Sequence, residues 1–560
     1  MITRSGILLA ALGLCLVAAC QEAGTIKRKA PDQAAAGSGN AGAGGGGNGI
    51  IIPGTRETAG LRCEASEVGP PQLRRLTQAE YQNTIADVFP EIGGSWQGVR
   101  LGPDPTSPLG FTNDASLLVV STQTAQEILD TAEDVATAVT APAILPSLLP
   151  CAASTKDAAC AAEFIGKYGA RLFRRPLSAD ESKRYADFHA SVALRSTFEL
   201  GLKWTLVGLL QSPHAVYRSE IGSGGKLTPH EIASELAYSF SGTLPSADLL
   251  ARAESGAFES AEARVAEARA LLATPRGQEV MTRMFREWVG YTKVSSATRP
   301  DVPGFETVRE SMIGETQRFI DHVVRVQGGG VRELLTSTTT FVDGTLSGFY
   351  GYGSASGDFT AVERPADWGI GLLAQGSIAA GNAHSESTSP TLRGLVVFER
   401  LFCNVRPPPP PGVPPIEAPV PGAKTTRERY EAVHVATGTT CASCHQLFDP
   451  IGFGFEHLDQ VGRYRADEGG LPIDASGHVT TEAGVTLLQF DGLNDLATGL
   501  AGLPEVTDCV SGLLAAYVFA GGGGKSCLAE EARTGLASGQ YGLAEYVAQL
   551  AAAPHFTERQ

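Results

Sequence analysis

The stretch Leu76-Thr77-Gln78-Ala79-Glu80 carries the signal that decides the fold, and the chain repeats it twice. In such a capping box the Thr77 hydroxyl accepts from an amide of the first helical turn, and Glu80 reaches back to the amide of the capping residue. The repeats are Leu177-Ser178-Ala179-Asp180-Glu181 and Leu227-Thr228-Pro229-His230-Glu231. The boxes predict three helical units, although their spacing is too loose for a solenoid repeat.

Outward from these boxes, apolar residues recur mostly at helical spacing. The clearest segments are Phe198 to Leu210, Ile232 to Phe240 and Met281 to Trp288. Strand-like segments are few and short. We therefore predict a mainly α chain, with a multi-domain helical body and one small segment of different character near the C-terminus.

Two arginine pairs, Arg74-Arg75 and Arg174-Arg175, precede the first two boxes. Guanidinium groups join ion pairs readily, so we favour salt bridges between neighbouring elements. The alternative is a site for an acidic ligand.

Composition narrows the class of protein. The 560 residues suffice for several domains, and a hydrophobic fraction of 43% suits a packed protein. The net charge of −16 and the lack of a basic patch argue against a nucleic-acid partner. We find no serine nucleophile elbow, H-E-x-x-H motif or phosphate loop, so hydrolase and kinase functions have no support.

The first twenty residues have the layout of a bacterial lipoprotein signal peptide. Arg4 precedes the apolar run from Ile7 to Val17, and small residues lead to Cys20. Cys20 would then become the lipid-modified first residue of the mature protein, and Gln21 after it favours the outer membrane. The alternative is an ordinary signal peptide with an incidental cysteine. We expect an exported protein held to the membrane of the cell envelope by a lipid anchor.

The small segment near the C-terminus contains Cys441-Ala442-Ser443-Cys444-His445, a C-x-x-C-H motif. Two thiols on one turn can each form a thioether with a haem vinyl group, and the following histidine then lies under the iron. We therefore predict haem c bound by Cys441 and Cys444, with His445 as proximal ligand. The alternatives are a zinc site that uses the two thiols and nearby histidines, and a local disulfide or free thiols.

The sixth iron ligand is left open by the sequence. No methionine follows the motif, so the candidates are His434, His457 and His384. Met281 or Met284 is a further option, but methionine on an apolar helical face usually belongs to the core. A second histidine ligand would favour a low-potential electron carrier, whereas an open position would allow oxygen or peroxide to bind.

Charged residues after the motif have more than one interpretation. We expect Asp449 to cap or turn the chain before Pro450. Arg463 and Arg465 could pair with the haem propionates, and surface salt bridges are the alternative.

Six cysteines remain once those of the signal peptide, Cys20 and the motif are set aside. An even number is consistent with disulfide bonds in an exported protein. Local spacing favours Cys151 with Cys160 and Cys509 with Cys527. Cys63 and Cys403 remain as a third pair.

Several segments, taken in order, resemble a family of exported multi-domain proteins from planctomycetes and myxobacteria that carry a planctomycete-type cytochrome c domain. The segments that carry this resemblance are Arg74 to Thr84, Phe173 to Leu177, Leu210 to His214, Leu236 to Phe240, Leu244-Pro245, Glu315-Thr316, His384-Ser385, Thr388 to Pro390, Arg393-Gly394, the proline run from Pro407 to Pro411, and Cys441 to Arg465. The resemblance covers most of the chain and implies a cytochrome domain, but the activity of the family is largely uncharacterised. The chain departs from the family at Gly521 to Gly524.

The expected domain organisation follows from the composition and this resemblance. We place a signal peptide at 1–20, a Gly/Ala-rich linker at 21–62, helical domains at 63–150, 151–224 and 225–360, the cytochrome domain at 361–470, and a C-terminal helical domain at 471–560.

Three functions are consistent with these features. The first is electron transfer by a lipid-anchored cell-envelope cytochrome with an unknown redox partner. The second is a non-haem structural or binding protein whose motif holds zinc or a disulfide. The third is a haem enzyme that acts on peroxide or an organic substrate. Visible absorption of covalent haem separates the second from the other two.

Overall fold

A computed structural model of the chain describes residues 70–353, 357–406, 424–434, 441–521 and 530–559. The predicted signal peptide, the linker and the proline run from Pro407 to Pro411 lie outside these ranges. So do Cys20, Cys63 and Cys527, and the statements below concern the described residues alone.

The N-terminal part of the body is helical, with one pair of strands that joins its two ends. Its elements are β1 (Gln72–Arg75), α1 (Gln78–Val88), α2 (Thr122–Val139), α3 (Leu145–Leu148), α4 (Ala158–Phe173), α5 (Ala179–Ala193), α6 (Phe198–Gln211), α7 (Pro213–Val216) and β2 (Tyr217–Glu220). Strand β1 pairs antiparallel with β2, so that Gln72 lies opposite Glu220.

The middle of the chain continues in the same manner. Its elements are α8 (Pro229–Ser241), α9 (Ala247–Glu254), α10 (Ala261–Leu272), α11 (Pro275–Val289), α12 (Phe305–Asp321), a π-helical turn (His322–Val326), α13 (Val331–Thr336), β3 (Thr339–Val342), α14 (Gly344–Tyr350) and β4 (Thr360–Glu363). Strands β3 and β4 form an antiparallel pair.

The C-terminal part contains the C-x-x-C-H motif on a short helix. Its elements are α15 (Gly376–Gly381), α16 (Pro390–Arg400), α17 (Thr426–Val433), α18 (Ala442–His445), α19 (Asp449–Gly452), β5 (Asp467–Glu468), β6 (Leu471–Pro472), β7 (Ser476–Thr480), β8 (Thr486–Asp491), α20 (Leu493–Leu500), α21 (Pro504–Val518), α22 (Glu530–Ala537) and α23 (Leu543–Gln549). The last four strands form two further two-stranded ladders. The prediction of a mainly α, multi-domain chain is confirmed.

All three capping boxes form as predicted. Thr77, Ser178 and Thr228 each accept a hydrogen bond from the third residue of the helix that follows, and the glutamate at that position accepts from the capping amide. The signal lies within four residues, so it does not depend on the rest of the fold.

Two large apolar cores hold the helices together. The first belongs to the N-terminal part, where Phe89 stacks on Tyr168 with ring centroids 4.9 Å apart. The second runs from α8 through the motif-bearing segment to the C-terminal helices. Met281 and Met284 lie in this second core, as expected for methionines on an apolar helical face. The motif-bearing segment therefore shares its core with the body.

The arginine pairs serve the structure, which is the favoured interpretation of the sequence. Arg74 bridges Glu220 and Glu235, and Arg75 pairs with Asp104 at 2.7 Å. Arg175 pairs with Glu181 at 2.8 Å, and Arg174 donates to the carbonyls of His214 in α7 and of Tyr217 at the start of β2.

The disulfides confirm one prediction and correct another. Cys151 is bonded to Cys160, as predicted. Cys403 is bonded to Cys509, so the expected pairs of Cys509 with Cys527 and of Cys63 with Cys403 are wrong. The fold brings the end of α16 against α21 across a separation of 106 residues, a proximity that local spacing does not reveal.

No helix in the described ranges combines the length and the apolar character that a membrane crossing needs.

Candidate functional site

The C-x-x-C-H motif forms one turn of helix. Cys441 precedes α18, and the amide of His445 donates to its carbonyl at 3.0 Å. Cys441 and Cys444 are both half-buried free thiols. The local disulfide among the alternatives is therefore not formed, and two thiols and an imidazole lie on the same turn.

Asp449 holds the imidazole of His445 from beneath. Its carboxylate is fully buried and lies 3.0 and 3.1 Å from Nδ1 of His445, four residues earlier. A carboxylate can only accept, so Nδ1 carries the proton and Nε2 is left as the metal-binding nitrogen. Asp449 begins α19 and makes no capping hydrogen bond there, which corrects the expectation of a cap or turn residue.

The same carboxylate collects two further donors. Nδ1 of His434 lies 2.8 Å from Oδ2, and the Thr391 hydroxyl donates to Oδ1 at 2.6 Å. Burial by itself would raise the pKa of Asp449, but the hydrogen bonds from His434 and His445 outweigh burial and lower it. Asp449 is therefore ionised, and it fixes both histidines at one point.

His434 lies directly against His445, with ring centroids 3.7 Å apart. An imidazole nitrogen lies about 2 Å from its metal, so two imidazoles on opposite faces of one iron have centroids about 6 Å apart. The observed stacking is not that arrangement. The observed centroid distance of 3.7 Å is more than 2 Å shorter than the distance of about 6 Å that two ligands of one iron require. To serve as the sixth ligand, His434 would therefore have to move away from His445 by that amount.

The other two candidate ligands lie differently. Nε2 of His384 is 3.5 Å from the Tyr430 hydroxyl, and the Tyr430 ring packs on His434, so His384 belongs to the same chain of contacts. His457 donates from Nδ1 to the carbonyl of Arg465 at 3.0 Å and stacks on Tyr464. Among the described contacts, none joins His457 to the other three histidines.

The two arginines after the motif pair with acids of their own segment. Arg463 pairs with Asp459 at 3.1 Å, and Arg465 pairs with the buried Glu456 at 2.7 Å. This arrangement favours the salt-bridge interpretation over pairing with haem propionates.

Helix α16 packs closely beneath the site. A Cβ on Gly394 would lie 1.8 Å from the carbonyl of Phe448, and a Cβ on Gly452 would lie 1.8 Å from that of Pro390. Only glycine permits this approach. Arg393, fully buried on α16, donates to the carbonyls of Phe455, Leu458, Asp459 and Ala379. The backbone that carries Asp449 is thereby fixed.

The donor set fits a covalently attached haem. Both thiols are free, they lie one turn apart, and the adjacent imidazole has its Nδ1 anchored so that Nε2 is available. One group among the described residues could also hold a metal ion, namely His434, His445 and Asp449, whose candidate ligand atoms lie within 4.8 Å of one another. The group contains neither thiol, so the zinc site expected from Cys441 and Cys444 is not assembled within the described ranges.

Sequence reasoning missed Asp449, Thr391 and Tyr430 as site residues. The spacing of four residues between His445 and Asp449 is a helical signal that could have revealed the first. Thr391 and Tyr430 reach the site only through the packing of α16 and α17.

The family comparisons cover the body and the motif-bearing segment in order. PSD3, a protein of unknown function (DUF1587), matches residues 74–141, and PSD5, a protein of unknown function (DUF1595), matches residues 160–220. PSD4, a protein of unknown function (DUF1592), matches residues 227–352, and PSCyt3, a protein of unknown function (DUF1588), matches residues 370–468. No curated protein and no solved structure matches the chain.

The PSCyt3 match contains the whole C-x-x-C-H motif together with Thr391, Tyr430 and Asp449. The four families are planctomycete cytochrome c-type domain families of unknown function. The chain therefore belongs to the planctomycete-type multi-domain proteins that carry a cytochrome c-type domain.

Proposed function

We propose that the protein is a lipid-anchored c-type cytochrome of the cell envelope that transfers electrons. Haem c would be attached to Cys441 and Cys444, with Nε2 of His445 as proximal ligand. The observation that carries this proposal is the turn with two free thiols and one imidazole, whose Nδ1 is held by a buried carboxylate. Bound haem would supply reversible one-electron chemistry.

The residues of the chain orient and tune the proximal ligand. Asp449 accepts from Nδ1 of His445, which fixes the ring and makes Nε2 a stronger donor. A more basic ligand and a nearby negative charge both favour the oxidised form of a bound metal. Phe448 packs edge-on against the His445 ring, with ring centroids 5.0 Å apart, and helps to hold its orientation. The proposed site is therefore a low-potential carrier.

His434 is the proposed sixth ligand to test first, because it alone of the three contacts His445 directly. To bind the iron together with His445, it would have to leave the His445 ring and give up its hydrogen bond to Asp449. In the haem-loaded protein, we expect His434→Ala to convert a low-spin spectrum into a high-spin one. His457→Ala is the matched control and should leave the spectrum unchanged. Retention of a low-spin spectrum in His434→Ala would assign the position to another residue.

The proposed partner is a basic redox protein. A net charge of −16 attracts cationic surfaces and speeds encounter with them. The proposed lipid at Cys20 would hold the cytochrome at the outer membrane, where such a partner could reach it.

A pyridine haemochrome spectrum tests the proposal. The full chain would be produced in a host that matures c-type cytochromes, beside a Cys441→Ala/Cys444→Ala variant. We expect a c-type spectrum from the wild type alone. Absence of covalent haem from both proteins would refute the cytochrome proposal.

A second candidate function rests on the group formed by His434, His445 and Asp449. Two imidazoles and a carboxylate suit a divalent transition metal, and the protein would then be a non-haem metal-binding protein. Cobalt(II) added to haem-free protein distinguishes the ligand sets. Visible d–d bands that His434→Ala abolishes would support this group. Intense sulfur-to-cobalt bands that the double cysteine variant removes would instead support thiolate ligands.

A further inference from the structure

The first turn of helix α16 reaches the buried carboxylate at the proposed haem site. Thr391 is the second residue of this helix, and its hydroxyl donates to Oδ1 of Asp449 at 2.6 Å. The two residues are 58 positions apart in the sequence, and Asp449 is fully buried. A residue far from the C-x-x-C-H turn in sequence therefore contacts the group that holds His445.

The close crossing of α16 and α19 places this hydroxyl beside Asp449. At Gly394 and Gly452 a side chain would collide with the backbone of the neighbouring segment, so only glycine allows the two helices to approach this closely. A threonine in the middle of a helix can bond the carbonyl four residues earlier, but Thr391 stands in the first turn, where the helix offers no such carbonyl. Its hydroxyl is therefore available to a partner on α19.

The hydroxyl of Thr391 shares the carboxylate with two imidazoles. Oδ1 of Asp449 lies 3.1 Å from Nδ1 of His445. Oδ2 lies 3.0 Å from the same nitrogen and 2.8 Å from Nδ1 of His434. Each donor stabilises the anion and lowers its basicity. The hydrogen bond from Thr391 therefore weakens the pull of Asp449 on the proton of His445.

Helix α16 acts on the same carboxylate through its N-terminal end. The helix has 11 residues, and the Ser389 hydroxyl caps it by accepting from the amide of Leu392. The N-terminal turn of a helix carries a partial positive charge, which stabilises an anion close to that turn. The dipole of α16 and the hydroxyl of Thr391 thus act on Asp449 in the same direction.

We propose, on the basis of the cytochrome function proposed above, that Thr391 is a positioning residue that raises the reduction potential of the haem site by donating to Asp449. A less basic Asp449 leaves more of the proton on Nδ1 of His445, and Nε2 is then a weaker donor to the iron. Since a strong donor favours the oxidised iron, a weaker donor shifts the equilibrium towards the reduced form.

Redox potentiometry on haem-loaded Thr391→Val tests the sign of this effect. Valine has nearly the shape of threonine but cannot donate a hydrogen bond. We expect the equilibrium constant for reduction to fall at least about twofold, because only part of the strength of one hydrogen bond reaches the iron. For a one-electron couple, a twofold fall lowers the potential by about 18 mV. A smaller fall, or a rise, would overturn the proposal.

Two further variants separate the effect of the hydroxyl from that of packing. Thr391→Ser keeps the donor and removes only the methyl group, so its equilibrium constant should stay within about twofold of the wild type. Thr340→Val is the matched control, because the fully buried Thr340 donates to a different buried carboxylate, that of Glu315, at 2.8 Å. Its effect should also stay below about twofold. A fall in either variant as large as that in Thr391→Val would assign the effect to packing and refute the proposal.

Proton NMR of the haem-free full chain, with isotope-labelled histidine, gives a measurement that needs no haem. The Nδ1 proton of His445, assigned by its loss in His445→Gln, should move downfield in Thr391→Val because its hydrogen bond to Asp449 becomes stronger. It should stay in place in Thr391→Ser. An unchanged or upfield signal in Thr391→Val would contradict the proposed role of Thr391. Absence of covalent haem would instead refute the cytochrome function, so the two failures are distinguishable.

Discussion

Replacement of Asp449 by asparagine perturbs the proposed haem site most directly. The carboxylate is fully buried and accepts from Nδ1 of His434, Nδ1 of His445 and the hydroxyl of Thr391. Asparagine keeps the shape of the side chain but removes its negative charge and turns one acceptor into a donor. Since the charge favours the oxidised site, we expect the reduction potential of the haem-loaded variant to rise.

The size of this rise follows from the distances. Oδ2 of Asp449 lies 3.0 Å from Nδ1 of His445. The width of the imidazole and a metal–nitrogen bond of about 2 Å place a metal on Nε2 about 7 Å from the carboxylate. At an effective dielectric constant of about 20, unit charges at this distance interact by roughly 2.4 kcal/mol. For a one-electron couple this corresponds to about 100 mV.

Redox potentiometry on haem-loaded protein measures the change. Asp467→Asn is the control, because Asp467 is an exposed carboxylate of the same segment. The reduction potential of this variant should differ from that of the wild type by less than about 20 mV. Haem content should be measured for each variant first. A rise of less than about 20 mV in fully loaded Asp449→Asn would refute the electrostatic argument.

Three further predictions concern stability. Arg393→Met leaves buried carbonyls without their donor, including that of Phe455, and should lower the free energy of unfolding by more than about 4 kcal/mol in urea denaturation. Burial would raise the pKa of Glu181, but Arg175 and the Ser178 amide outweigh burial and lower it to about 2. The free energy of unfolding should therefore be highest above pH 4.5 and should fall by up to about 3 kcal/mol as the pH is lowered towards 2. Glu181→Gln should make this pH dependence smaller. Cys403→Ser opens a loop of 106 residues and should lower the free energy of unfolding by about 2–4 kcal/mol. Cys509→Ser should lower it by the same amount, and the double variant should lose no more than either single variant.

Local signals in the sequence predicted local structure well. The boxes at Thr77, Ser178 and Thr228 formed because their partners lie three residues away. The Cys151–Cys160 disulfide spans only nine residues. In each case the information needed for the prediction is contained in one short stretch.

Contacts between distant segments were not predictable in this way. The partners of Arg74 lie 146 and 161 residues away, and the sequence indicated only that partners would exist. Cys403 was assigned to the wrong partner because the packing of α16 on α21 has no local signature. The Pro450 that follows Asp449 pointed to a turn, and it concealed the helical spacing that links Asp449 to His445.

The proposed haem site depends on the helical body for its position. The haem-binding turn lies on one short helix, yet the backbone beneath it is held by Arg393 and shares the second core with the helical body. Helix α21 belongs to the same core, and its Cys509 is bonded to Cys403 at the end of α16. The motif-bearing segment is therefore held to the body both by packing and by a covalent bond, so the proximal ligand is positioned by contacts from outside its own helix.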